Sequence, residues 1–196
     1  LPILIVVMNS FKGKLFISTQ PFSFPSAAAG TFVGLENYVE GIKQIGFWSA
    51  FGNSLFITVC SVLAIVLLTA MTGWFITRVK NTAKVIYYLL VFSMIVPFQM
   101  VMFTMSKMAN MLHLDNPVGI VFVYIGFGAG LSSFMFSGFV KGVPLDIEEA
   151  AYMDGCGPVR TFFSVVLPVL RPTAITVAIL NAMWIWNAYL LPYLLL

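Results

Sequence analysis

Residues 149–168 read EAAYMDGCGPVRTFFSVVLP, and this polar segment decides the fold because of what lies on either side of it. The flanking runs, 118–140 and 173–196, are apolar and contain no charged residue. Charged side chains are costly in hydrocarbon, so a segment with several of them must leave the membrane between two spanning runs. The sequence therefore predicts a structured loop outside the bilayer.

The residue types in this segment predict two short helices joined by a turn. Pro144 suits the first turn of a helix, and Asp146, Glu148 and Glu149 favour the positive end of its dipole. Gly155 can adopt the left-handed conformation that ends a helix, and Pro158 suits the start of the next one. Two short helices with a glycine turn form a rigid elbow, which can transmit a push that a flexible loop would absorb.

Composition places the chain in a membrane class. The chain is 60% hydrophobic and 9% charged, against roughly 25% charged residues in a typical soluble domain. Four charge-free runs each exceed the roughly 20 residues that a spanning helix needs. These predicted spans are 55–76, 85–106, 118–140 and 173–196. The apolar start, 1–8, is too short to cross and is expected to be part of a helix.

Basic residues predict the orientation of these spans. Arg78, Lys80 and Lys84 lie between the first two predicted spans with no acid among them, so this loop is expected on the cytoplasmic side. Alternation then puts 141–172 on the same side, and 9–53 and 107–117 outside.

Several functional classes are disfavoured. The spans contain no charged residue or histidine, which an intramembrane hydrolase would need, and no filter loop or charged ring indicates a channel. Cys60 and Cys156 lack the spacing of a metal site or disulfide framework, and His113 is the one histidine. We therefore expect no catalytic residue, no metal and no cofactor. A non-transport membrane scaffold stays open as an alternative.

The spacing of the polar segment resembles the cytoplasmic coupling loop of ABC-importer permeases, where the membrane subunit binds its ATPase. The elements that match are Glu-Ala-Ala, Gly155, a nine-residue gap and an aliphatic-x-Leu-Pro end. Nearly the whole chain is similar to the carbohydrate, maltose-type branch. The further matching stretches are Gly34-Leu35-Glu36-Asn37-Tyr38, Asn53-Ser54-Leu55, Ile95-Val96-Pro97, Gly138-Phe139 and Trp186-Asn187-Ala188-Tyr189. Cys156 and Ala188 depart from the usual residues of the family.

The resemblance implies an all-α, polytopic transmembrane helical bundle of the type I importer fold with cytoplasmic coupling helices. Residues 1–196 would form a single permease domain, incomplete at both ends, in a bacterial or archaeal cytoplasmic membrane. Residues 141–172 would form the coupling loop. The implied ATPase-coupling residues are Glu149, Ala150, Ala151, Asp154, Gly155, Leu167 and Pro168.

The implied function is translocation of a sugar or oligosaccharide, with no chemistry by the chain itself. The sequence has no phosphate-binding G-x-x-x-x-G-K-[ST] motif, so ATP hydrolysis would come from separate ATPase subunits. The other implied partners are a second permease, an extracytoplasmic solute-binding protein and membrane lipid, with no nucleic acid. An importer of another solute, such as a polyol, glycerol phosphate or amino acid, stays open.

Polar residues within the spans are candidates for the substrate pathway. Asn181, Trp184 and Asn187 recur every three residues and so share one broad helix face. Amides exchange hydrogen bonds with sugar hydroxyls, and an indole packs on the apolar face of a sugar ring. Gln99 follows Pro97, which is expected to bend its helix. Packing within the bundle is the alternative for all of these residues, and Trp186 is expected to face lipid or a neighbouring helix.

Small residues in the 118–140 run predict close contact between helices. They are Gly126, Gly128, Gly130, Ser132 and Ser133.

Overall fold

The computed structural model describes residues 2–79 and 82–196, and the described chain is built from helices. In chain order the helices are α1 (Pro2–Ser10), α2 (Lys14–Thr19), α3 (Glu36–Gln44), α4 (Phe47–Arg78), α5 (Thr82–Ser93), α6 (Phe98–Met111), α7 (Pro117–Val140), α8 (Leu145–Met153), α9 (Pro158–Thr161), a π-helix (Phe162–Val166), α10 (Leu167–Val169), α11 (Arg171–Asn187) and α12 (Leu190–Leu195). The all-α fold class is confirmed. Two compact units are present, one ending at Asn53 and one from Ser54 to Leu196, and the single permease domain stays a prediction.

The N-terminal unit is organised around a buried lysine. Lys12 is fully buried, and its Nζ donates to the carbonyl oxygen of Gln20 at 2.8 Å. The Asn37 amide donates to the carbonyl oxygens of Ser10 and Lys12, both at 2.8 Å. These bonds replace water around groups that would be costly to bury unpaired. The apolar start of the chain is helical, as the sequence predicted.

In the second unit, α4 and α7 approach closely because small residues face the contact. A Cβ added at Gly73 would lie 2.7 Å from the Phe136 Cβ, and one added at Gly128 would lie 2.6 Å from the Ile65 Cδ1. Both distances are shorter than side chains tolerate, so glycine allows this helix spacing. The predicted close packing is confirmed at Gly128. Gly126 has no such neighbour within 4 Å, and the prediction is wrong there.

Two of the four predicted spans are single helices. Within the described residues, α4 and α7 are each long and apolar enough to cross a membrane. Two bent helix pairs, 84–111 and 158–187, meet the same test if each pair counts as one span. The described chain therefore holds two candidate spans, or up to four.

The predicted span 85–106 is not one continuous helix. α5 ends at Ser93, α6 begins at Phe98, and their axes are bent by 102°. Pro97 precedes α6 in an extended conformation, with φ −64° and ψ 140°. Proline disfavours the helical conformation of the residue before it, here Val96, so the chain breaks where the sequence predicted only a bend.

The predicted span 173–196 is not one continuous helix either. α11 begins at Arg171 and ends at Asn187, Ala188 is extended, and a separate helix begins at Leu190. The proline ring of residue 192 crowds the carbonyl group four residues earlier, which belongs to Ala188, and cannot donate to it. α11 is bent by 77° from the preceding helical segment Pro158–Val169.

Candidate functional site

The first half of the coupling loop is a short helix that stops at a left-handed glycine. Pro144 is the extended residue before α8, and Asp146 and Glu148 lie in its first turn. Gly155 has φ +79°, and the next N–H, of Cys156, donates to the carbonyl oxygen of Ala151 at 3.0 Å. This bond satisfies a carbonyl group that the end of the helix would leave unpaired. The predicted glycine stop is confirmed.

The second half of the loop begins with a new helix at Pro158, and the helix then changes to a π-helix. Pro158 is in the first turn of α9, as predicted, and the helical segment continues through the π-helix Phe162–Val166 into α10. Pro168 has no N–H for the carbonyl group of Ser164, and its ring crowds that group, which explains the wider turn. π-helical turns occur frequently at functional sites.

The predicted ATPase-coupling residues divide into an exposed set and an inward set. The exposed residues are Glu149, Ala150, Asp154, Gly155 and Pro168, whereas Ala151 is buried and Leu167 is partly buried. Met153 lies beside this exposed set with 88% of its surface accessible. The loop therefore presents carboxylates around a large apolar side chain.

An ion pair between a buried carboxylate and a partly buried arginine, which the sequence did not reveal, joins α8 to the end of α4. Glu148 is 4% exposed, and its Oε1 accepts from Nη2 of Arg78 at 2.6 Å and from Nε at 2.9 Å. Its Oε2 accepts from the indole Nε1 of Trp74 at 3.0 Å. Arg78 Nη2 also donates to the carbonyl oxygen of Val143 at 3.1 Å. We call Trp74, Arg78 and Glu148 the Glu148 cluster.

The Glu148 cluster also settles which segments share a side of the bundle. Because Arg78 contacts Val143 and Glu148, the end of α4 and the coupling loop lie at the same end of the spanning helices. The basic residues had predicted this common side, although Lys80 lies outside the described residues.

A cavity of about 430 Å³ brings together three of the four predicted pathway residues. Gln99, Asn181 and Trp184 line it, next to the break between α5 and α6. Asn187 does not line this cavity; it is exposed, and its Nδ2 donates to the carbonyl oxygen of Met183 at 2.7 Å. We call this space the Asn181 cavity.

Asn181 both holds helices together and borders the cavity. Its Nδ2 donates to the Ser132 hydroxyl at 3.1 Å and to the Val177 carbonyl oxygen at 2.8 Å. Both amide protons are therefore used within the protein. A Cβ added at Gly128 would lie 2.9 Å from the Asn181 Oδ1, so α7 and α11 also depend on a glycine for their spacing.

Aromatic rings of Phe98, Phe127 and Trp184 line part of the cavity. Trp184 packs edge-to-face on Tyr124 with ring centroids 5.5 Å apart, and 41% of its surface is exposed. Phe98 and Phe127 form a second edge-to-face pair at 5.5 Å, and both line the cavity. None of the described lining residues is ionisable. The cavity thus offers ring faces and neutral polar groups.

Residues 66–196 match the family described as binding-protein-dependent transport system inner membrane component. The chain belongs to this family. The match includes the whole coupling loop, the Glu148 cluster and the Asn181 cavity. The chain is therefore an inner membrane component of a transport system, and the family predicted from the polar segment is confirmed.

Relatives of this permease cover the whole chain. It is 40% identical over 196 residues to a Thermoanaerobacterium thermosulfurigenes permease named for transport of starch degradation products. It is 32% identical to the multiple sugar-binding transport system permease protein of Streptococcus mutans. Each match covers 100% of this chain and 70% of the relative.

A third relative is the diacetylchitobiose uptake system permease protein of Streptomyces coelicolor. It is 32% identical, and the match covers 97% of this permease but 62% of that protein.

A solved structure supports the fold of the permease. It is a bacterial ABC transporter involved in the import of the acidic polysaccharide alginate. The TM-score is 0.76 with 22% sequence identity, over 96% of this chain and 65% of that one. At this identity the similarity concerns the fold alone.

Proposed function

We propose that this permease imports a neutral sugar or oligosaccharide, driven by ATP hydrolysis in a separate subunit, and performs no chemistry itself. The observation that carries the proposal is the absence of ionisable side chains among the described residues that line the Asn181 cavity, combined with its exposed Gln99 amide and its aromatic rings. A sugar needs hydrogen-bonding groups for its hydroxyls and apolar surface for its ring.

The same lining argues against charged solutes. Glycerol phosphate is best recognised by charged donors such as arginine, and a zwitterionic amino acid needs partners for both of its charges. A neutral polyol would fit the polar groups but makes less use of the aromatic rings. The three relatives described above are named for carbohydrate transport, which agrees with this choice.

The exposed face of the coupling loop is the proposed contact with the ATPase. An interface of this kind combines a central apolar anchor with a polar rim. Met153 would be the anchor, Glu149 and Asp154 the rim, and Ala150 would allow close approach. A second permease and an external solute-binding protein would complete the transporter.

Gly155 provides the test of the coupling role, because a substitution there would disturb the backbone conformation without creating a steric clash. Its φ is +79°, and an added Cβ would meet nothing within 4 Å. Gly155→Val should cost roughly 1–2 kcal/mol in the left-handed turn and rotate the second half of the loop away. We expect a complex that reaches the membrane but loses its ATPase subunits on purification.

Gly157→Val is the matched control. Gly157 is extended, with φ −74° and ψ 166°, and has equally open surroundings. This variant should retain the ATPase. Normal ATPase association and transport in Gly155→Val at wild-type abundance would refute the coupling role.

A further inference from the structure

The Glu148 cluster is placed to connect the coupling loop with the spanning helices. Glu148 is buried, in contrast to its exposed neighbour Glu149. Both of its carboxylate oxygens accept hydrogen bonds from α4, one from Trp74 and the other from Arg78. Hydrogen bonds to both carboxylate oxygens stabilise the charge of Glu148 and also fix the position of its side chain, because three donors must keep their positions together.

Trp74 ties the second half of the loop to the same place. Its ring packs on Phe162 with centroids 5.6 Å apart, and Phe162 begins the π-helix. Trp74 and Arg78 are four residues apart and so lie on one face of α4. One turn of α4 therefore contacts α8 through Glu148 and the π-helix through Phe162.

Helix α4 extends from the Glu148 cluster to the Asn181 cavity. From Arg78 back to Ile65, α4 spans roughly 20 Å at about 1.5 Å per residue. Ile65 is fully buried and lies so close to Gly128 that an added Cβ there would be 2.6 Å from the Ile65 Cδ1. Gly128 lines the cavity. A continuous helix thus connects the Glu148 cluster with the cavity wall.

We propose that Trp74, Arg78 and Glu148 are positioning residues that make the coupling loop and α4 move as one body. This rests on the proposed coupling role of the loop. The exposed residues of α8 bind the ATPase, and the Glu148 cluster passes the displacement of α8 into the membrane. Without the cluster, ATP is still hydrolysed but fewer solute molecules cross.

The test uses the full complex in proteoliposomes with its binding protein and a neutral oligosaccharide. The measured quantity is ATP hydrolysed per solute imported. A loss of folded complex lowers both rates together and leaves this ratio unchanged. Trp74→Phe removes the indole donor while keeping a ring against Phe162, and Glu148→Gln removes the charge at nearly constant volume.

Both variants should retain ATPase subunits in the complex. Their ratio should rise about tenfold, the factor that corresponds to loss of one charge-assisted hydrogen bond. Asp146→Asn is the matched control, since Asp146 is an exposed carboxylate in the first turn of the same helix. Its ratio should stay within about twofold of wild type, the expectation for an exposed charge.

A double-mutant cycle tests whether the cluster acts as a unit. Arg78→Gln and Glu148→Gln should each raise the ratio, and the double variant should raise it no further, because one interaction cannot be lost twice. If the Glu148→Gln complex fails to assemble, the ratio measured for Trp74→Phe alone tests the proposal. An unchanged ratio in Trp74→Phe, additive effects in the cycle, or an equal effect of Asp146→Asn would overturn the proposal.

The failure of this inference is distinguishable from failure of the coupling role. Loss of ATPase from Gly155→Val, together with a normal ratio in the cluster variants, would reject the cluster alone. Retention of ATPase and transport in Gly155→Val would reject the coupling role itself.

Discussion

At the scale of single residues, α11 contains two tryptophans with different surroundings. Trp184 lines the Asn181 cavity and packs on Tyr124, whereas Trp186 does not line that cavity. Sequence periodicity predicted this difference from their helical positions. The periodicity did not predict that Asn181 lines the cavity and Asn187 does not, because the same three-residue spacing includes both.

Trp184→Ala should lower oligosaccharide uptake at limiting solute by about tenfold, since an aromatic contact contributes about 0.5–1.5 kcal/mol beyond its buried area. Uptake in proteoliposomes checks this, with complex yield measured in parallel. Trp186→Ala is the control of equal size and should transport normally. Equal uptake by the two variants would contradict a sugar contact at Trp184.

Gly128 supports the helix packing around the same cavity. Gly128→Ala forces a Cβ against Ile65 and Asn181, and we expect destabilisation by about 1–3 kcal/mol. Gly126→Ala is the control, since its added Cβ meets nothing within 4 Å. Thermal unfolding of the purified complex should show a lower Tm for Gly128→Ala alone. Matching Tm values would show that α4, α7 and α11 do not pack as described.

At the scale of elements, α8 has an exposed face, which is the proposed ATPase contact, and an inward face that packs within the protein. Its exposed face carries Glu149, Ala150 and Met153, and its inward face carries Glu148 and Ala151. The sequence predicted α8, its glycine stop and the restart at Pro158, since these depend on local residue preferences. It did not predict the Glu148 cluster, because Arg78 and Glu148 are 70 residues apart and only the fold brings them together.

Substitutions at the neighbouring residues Ala150 and Ala151 of α8 distinguish the proposed ATPase contact from packing within the protein. Ala150→Arg should weaken ATPase association by about tenfold or more, because a bulky charge then occupies the proposed contact surface. Its Tm should remain that of wild type. Ala151→Arg should instead lower the Tm, because it forces a charged chain into a buried position. Pull-down of the ATPase and thermal unfolding measure the two effects, and a reversed pattern would contradict the assignment of faces.

At the scale of the whole molecule, hydrophobic length predicted α4 and α7 correctly. It did not show that 85–106 and 173–196 are each divided into two helices, because their composition is equally apolar and the breaks lie near prolines. A proline in an apolar run either bends or breaks the helix, and tertiary packing decides between these outcomes. Gln99 and Trp184 therefore reach one cavity through a broken α5–α6 pair that the sequence predicted as one span.

The orientation of the bundle stays a prediction with a direct test. In a background lacking Cys60 and Cys156, Asp146→Cys should react with a membrane-impermeant thiol reagent only when the cytoplasmic side is accessible. Asp115→Cys should react from outside. Both positions are exposed. Labelling of Asp115→Cys only from inside would reverse the predicted topology.

ATP-dependent uptake by the reconstituted transporter, with its second permease, ATPase and binding protein, directly tests the proposed import of a neutral sugar. The solutes compared are neutral oligosaccharides, a polyol, glycerol phosphate and an amino acid. Because the described cavity lining has aromatic rings and amides but no ionisable group, we predict uptake of an oligosaccharide and none of the charged solutes. ATP-dependent uptake of glycerol phosphate or the amino acid, with no oligosaccharide imported, would contradict it.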